Sequence, residues 1–73
     1  MSNIFDRGRI MINEEFRKAR LEKKLTQGKL AEMVGVSRQT INMIESNDYN
    51  PTIALCIKIC KVLEKTLDEL FWR

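Results

Sequence analysis

The chain has 73 residues, 44% of them hydrophobic, with 13 Lys and Arg against 10 Asp and Glu, for a net charge of +3. A chain of this length builds one small domain with a single modest core, so neither a second domain nor a small-molecule effector module is expected. It has no histidine, no phosphate-cradling glycine loop and no nucleophile beside a base, which argues against an enzyme and leaves no cofactor to expect.

Residues 1–12 are interrupted by Asp6, Arg7 and Arg9, unlike the continuous apolar stretch of a signal peptide. No apolar run approaches the roughly 20 residues that span a bilayer. A cytoplasmic protein without a membrane partner is therefore expected. Ile10-Met11-Ile12 favours a short strand; residues 1–12 also suit a flexible basic arm that touches DNA, or Met11 is the true start. The first 12 residues are thus read as an arm or strand, and residues 13–73 as the folded domain.

Asn13 can cap a first helix, with Glu14 and Glu15 well placed in its opening turn. That helix turns Phe16 and Ala19 inward, shows Arg17, Lys18, Lys23 and Lys24 to solvent, and is expected to end near Lys24. Thr26 caps a second helix running to about Val34, and Ser37 caps a third running to about Ser46. Counted from Gln27, a small residue stands fifth (Ala31), a glycine ninth (Gly35), and isoleucines fifteenth and eighteenth (Ile41 and Ile44). Two helices that cross steeply after a short turn need this arrangement. Ala31 permits close approach, and Gly35 suits the positive φ where the first of the pair ends. Leu30, Val34, Ile41 and Ile44 supply the apolar seam. Residues 27–46 therefore read as a helix-turn-helix whose second helix opens on hydrogen-bonding side chains: Ser37, Arg38, Gln39 and Thr40.

The segment Asn47-Asp48-Tyr49-Asn50-Pro51 is a turn-rich loop. Thr52 opens a fourth helix reaching about Leu63, and Thr66 with Glu69 forms a T-x-x-E capping box over a short fifth helix through Leu70 and Phe71. The fourth helix is apolar nearly all round, with only Lys58 and Lys61 charged. Ile53, Cys56, Ile57, Cys60 and Leu63 are assigned to the core. Leu55, Ile59 and Val62 fall on a neighbouring face, which with Leu67, Phe71 and Trp72 is assigned to a homodimer interface. Cys56 and Cys60 lie four apart on this helix with no histidine and no second cysteine pair to complete a zinc site. They read as small buried hydrophobes in a reducing compartment, and no metal is expected.

Charge is distributed unevenly. Residues 1–38 hold nine Lys and Arg against five Asp and Glu, whereas residues 39–73 hold four against five. A basic half containing the first two helices and the start of the third suits a phosphate backbone.

From Asn13 to Phe71 the sequence resembles the phage repressor and Cro-like (Xre-type) helix-turn-helix regulators. The resemblance rests on Leu25-Thr26-Gln27, Leu30-Ala31, Val34-Gly35-Val36-Ser37, Arg38-Gln39-Thr40-Ile41, Ile44-Glu45, Tyr49-Asn50-Pro51 and Leu67-Asp68-Glu69-Leu70-Phe71. It implies an all-α, five-helix, lambda-repressor-like domain, with a short N-terminal β-strand in some small relatives. It also implies sequence-specific binding of double-stranded DNA, with the third helix in the major groove of a palindromic operator bound by a homodimer, and repression as the outcome. On that frame Ser37, Arg38, Gln39 and Thr40 read bases: the paired polar atoms of Arg38 match guanine and those of Gln39 match adenine. Gln27, Lys29, Arg17, Asn42, Tyr49 and Asn50 contact phosphates. Arg20 and Glu45 match a buried structural ion pair. Met43 departs from the pattern, standing where some relatives carry a polar reader, and Gly28 stands where relatives carry Ala or Ser. Gly28 implies a frayed first turn or a close approach of backbone to DNA. The competing reading is an antitoxin or anti-regulator that uses the same scaffold to bind a protein, which would call for a further partner-binding segment beyond Phe71.

Overall fold

The computed structural model describes residues 13–71. Among them are five helices: α1 (Glu14–Glu22), α2 (Gln27–Val34), α3 (Arg38–Glu45), α4 (Ile53–Leu63) and α5 (Leu67–Leu70). Each starts at a side chain that the local sequence supplies. The side-chain oxygens of Asn13, Thr26, Ser37 and Thr52 accept from the backbone N–H three residues on, at 3.0–3.1 Å. At α5 the cap is reciprocal: Glu69 N–H donates to Thr66 Oγ1 at 3.2 Å, and Thr66 N–H donates to Glu69 Oε1 at 2.7 Å. A cap of this kind contributes about 1 kcal/mol by satisfying an otherwise orphaned donor.

The first four helices are each followed by a left-handed residue. Gly35 takes φ 79° after α2, where the lack of a Cβ removes the usual cost. Lys24, Asn47 and Glu64 adopt φ of 59°, 60° and 58° without being glycine. At Lys24 this stops α1 two residues before the sequence expectation. Leu25 N–H then turns back to the carbonyl of Arg20 at 3.2 Å and holds the reversal.

The core draws on every helix. Phe16, Leu30, Ile41, Ile44, Ile59, Leu63 and Leu70 are sealed from solvent. α3 and α4 both pack on α2, in which Ala31 is buried and adds no bulk beyond Cβ. Asn13 does more than cap α1. Its backbone N–H donates to the carbonyl of Glu45 at 2.7 Å, and its Nδ2 donates to the carbonyl of Leu70 at 2.9 Å. One residue thereby ties the start of α1 to the last turn of α3 and to α5. Phe71 closes the same end, meeting Phe16 edge-on with ring centroids 6.0 Å apart.

The assignment of faces on α4 is corrected. Ile59 is 0% exposed and Leu55 9%, so both belong to the core, whereas Ile53 and Ile57 are 66% and 40% exposed. Val62, Leu67 and Phe71 are half-buried and pack on the core. An almost wholly apolar helix gives its hydrophobic pattern no clear minimum, so the pattern alone does not fix the rotation. The two lysines do fix it. Lys58 and Lys61 share the exposed arc with Ala54 and Ile57, spaced i, i+3, i+4 and i+7 along one side of a helix. The suggested strand at Ile10-Met11-Ile12 and the dimer role of Trp72 lie outside the described residues.

Candidate nucleic-acid interface

α3 is an eight-residue helix with two opposed faces. Ile41, Ile44 and Glu45 are buried, while Arg38, Gln39 and Asn42 are exposed. Ser37 caps the helix, and its hydroxyl also lies 3.0 Å from the hydroxyl of half-buried Thr40. Ser37 and Thr40 are therefore linked to each other and hold the helix start in shape. No hydrogen bond or ion pair among the described residues engages the side chains of Arg38 and Gln39. Their donor and acceptor groups are available to an outside partner.

The first turn of α2 lies beside this face. A Cβ placed on Gly28 would meet Cδ of Arg38 at 3.8 Å, an ordinary contact. The Arg38 stem thus runs alongside Gly28. The turn is helical from Gln27 and is capped by Thr26. Neither steric need nor a positive φ demands glycine at this position.

Gln27 is not simply displayed for a phosphate. It is half-buried, and its Nε2 donates to Oε1 of Glu45 at 2.7 Å. Glu45 is also held by Arg20, with Nε to Oε2 at 2.9 Å and Nη2 to Oε1 at 3.2 Å, while Arg20 Nη1 donates to the carbonyl of Leu25 at 2.7 Å. The expected Arg20–Glu45 pair is present, buried and fork-shaped. Sequence reasoning missed the third member. Gln27 precedes Glu45 by eighteen residues, a spacing with no local periodicity to reveal it.

The remaining candidates are more scattered. Tyr49 and Asn50 are exposed in the α3–α4 loop, beside a hollow that Asn13, Ile44 and Phe71 also line. Arg17 is exposed on α1. Lys29 is exposed but pairs with Glu32 at 3.3 Å, a solvent-screened contact that yields readily. Asn42 accepts a long hydrogen bond from Ser46 at 3.4 Å. Burial pushes the thiols of Cys56 and Cys60 above their ordinary value, and the proximity of Cys56 and of Glu69 raises Cys60 further. Both therefore stay protonated at neutral pH, the less nucleophilic form.

The sequence model of the helix-turn-helix family matches residues 16–70. The chain belongs to that family, the Xre/Cro-type regulators. It is 47% identical over 47 residues to YgzD, an HTH-type transcriptional regulator of Bacillus subtilis, covering 64% of this chain and 71% of that one. It is 40% identical over 55 residues to an HTH-type transcriptional regulator of Archaeoglobus fulgidus, covering 75% and 79% of the two chains. Among solved structures, it resembles the restriction-modification controller protein C.AhdI of Aeromonas hydrophila with a TM-score of 0.73 at 27% identity, covering 81% of this chain and 89% of that one. A chain of the SinR–SinI protein complex gives 0.74 at 32% identity, with 84% and 60% covered. The helical architecture of the described residues is the all-α, lambda-repressor-like fold of these neighbours. The protein is a DNA-binding regulator of the Xre type, and its family and neighbours are transcriptional regulators rather than enzymes.

Proposed function

We infer that the protein is a repressor that binds a palindromic operator as a homodimer, with α3 in the major groove. The observation that carries this reading is the two-sided construction of α3. Ile41 and Ile44 are fixed in the core while Arg38 and Gln39 stand exposed and unengaged on the other side. Arg38 is suited to the O6 and N7 acceptors of guanine and Gln39 to N6 and N7 of adenine. Ser37 and Thr40 add hydroxyls at the end of the helix that enters first. Gln27, Tyr49, Asn50, Asn42, Lys29 and Arg17 supply the phosphate contacts that set register.

An eight-residue helix is about 12 Å long and touches only a few base pairs. Selectivity within a genome calls for two such helices about 34 Å apart on a two-fold axis. The dimer reading now rests on the outward arc of α4, where Ile53 and Ile57 are exposed, rather than on Leu55 and Ile59. Occupying promoter DNA is the simplest consequence of such binding, and it represses.

Selection from random duplexes, followed by salt titration, tests the proposal. The expected result is a palindromic consensus with half-sites about one helical turn apart and a steep loss of affinity as salt rises. A consensus without two-fold symmetry would remove the homodimer, and no consensus at all would remove the operator.

A further inference from the structure

We propose that Glu45 is a positioning residue for the DNA contact of Gln27, so that the Arg20–Glu45 pair aims a phosphate-binding side chain as well as joining α1 to α3. This deepens the preceding reading and rests on it. Glu45 is buried, and of the three side-chain hydrogen bonds its carboxylate accepts, the one from Gln27 is the shortest, at 2.7 Å against 2.9 and 3.2 Å from Arg20. An ionised carboxylate only accepts, so the amide nitrogen of Gln27 must face Glu45 and its carbonyl must point away. One amide hydrogen is used in that bond; the other remains on a nitrogen whose place is fixed.

Among the described residues no other hydrogen bond restrains the Gln27 side chain. Without Glu45 it would return to the rotamers open to a long chain at a helix start. Arg20 completes the device by gripping the carbonyl of Leu25, within the linker that delivers Thr26 and Gln27 to the head of α2. The network thus fixes both the backbone and the tip of the phosphate-contacting residue, and the ionised acceptor makes the bond stronger than one between neutral groups. Releasing a side chain that must be immobilised again on binding weakens affinity by about two- to tenfold.

The test is a double-mutant cycle on the full chain: Gln27→Ala, Glu45→Asp and both together, measured against the selected operator and a random-sequence duplex. Glu45→Asp keeps the charge but draws the carboxylate back by one methylene from Arg20 and Gln27 alike, and the cycle isolates the part that depends on Gln27. The expected result is an about two- to tenfold loss on both duplexes when Gln27 is present, and no further loss once residue 27 is alanine. An equal loss in both backgrounds would overturn the proposal and leave Glu45 a purely structural residue. Should Glu45→Asp fail to fold, the side-chain amide of Gln27 in the wild-type chain decides by NMR. Order matching the backbone supports the proposal, and free rotation refutes it. Wild-type protein with no salt-dependent affinity for any duplex would instead overturn the underlying DNA reading, and the NMR result would still report on the hydrogen bond.

Discussion

α3 and α4 are built on one plan and turned to different ends. Each buries one side in the shared core, α3 through Ile41 and Ile44, α4 through Leu55, Ile59 and Leu63. Their outer sides differ in chemistry. α3 displays Arg38, Gln39 and Asn42, groups that donate and accept hydrogen bonds, and α4 displays Ile53 and Ile57 together with Lys58 and Lys61. A polar outer face gains from directional partners, whereas an apolar one gains by being covered. On the proposed function, the contrast makes base reading and dimer pairing separable by mutation.

The largest effect should come from breaking the support of α3. Arg20→Ala strands the buried carboxylate of Glu45 and should cost about 3–5 kcal/mol in denaturant unfolding. Loss of operator affinity with stability unchanged would show instead that Arg20 contacts DNA. Next, Ile59→Ala should cost about 2–5 kcal/mol because it opens a cavity in a sealed core. Ile57→Lys, only two residues away, should leave monomer stability within about 0.5 kcal/mol and abolish dimers in sedimentation. Ile59→Ala behaving like a surface change would undo the assignment of faces.

On the outer side of α3, Arg38→Ala should relax preference at one base pair per half-site by about 1–3 kcal/mol in competition binding, with the fold intact. Positions belonging to neither face should alter stability alone. Lys24→Gly relieves a non-glycine residue at φ 59°, and the denaturation midpoint should rise by an amount equivalent to about 1 kcal/mol or less. The pH response should be smaller still. A hydrogen bond and the charge of Lys23 hold Glu64 below its ordinary 4.5, and the backbone N–H of Thr66 lowers Glu69 likewise. Folded-state values below the unfolded ones mean stabilisation that is complete above about 4.5 and lost as pH falls through the lowered values. Acid titration of unfolding should show that sign, and the double variant Glu64→Gln, Glu69→Gln should flatten it.

Much of this design is written locally. Asn13, Thr26, Ser37, Thr52 and Thr66 each announce a helix within four residues of chain, and Gly35 announces the turn between α2 and α3. The exposed order Arg38-Gln39 follows directly from the buried spacing of Ile41 and Ile44. What escaped the sequence is non-local or without contrast. The Gln27–Glu45 hydrogen bond spans eighteen residues, and the second and third bonds of Asn13 reach Glu45 and Leu70. The rotation of α4 was obscured by its own hydrophobicity, although Lys58 and Lys61 on one arc carried the information.

The central claim is that α3 reads base edges through Arg38 and Gln39. Its most direct test is the ratio of operator affinity to random-duplex affinity at about 0.15 M salt, for the wild type and for the double variant Arg38→Ala, Gln39→Ala. The account predicts a wild-type ratio of at least about a thousand that collapses in the double variant, while random-duplex affinity falls far less. A ratio near one for the wild type, or a high ratio that survives the loss of both side chains, would contradict it.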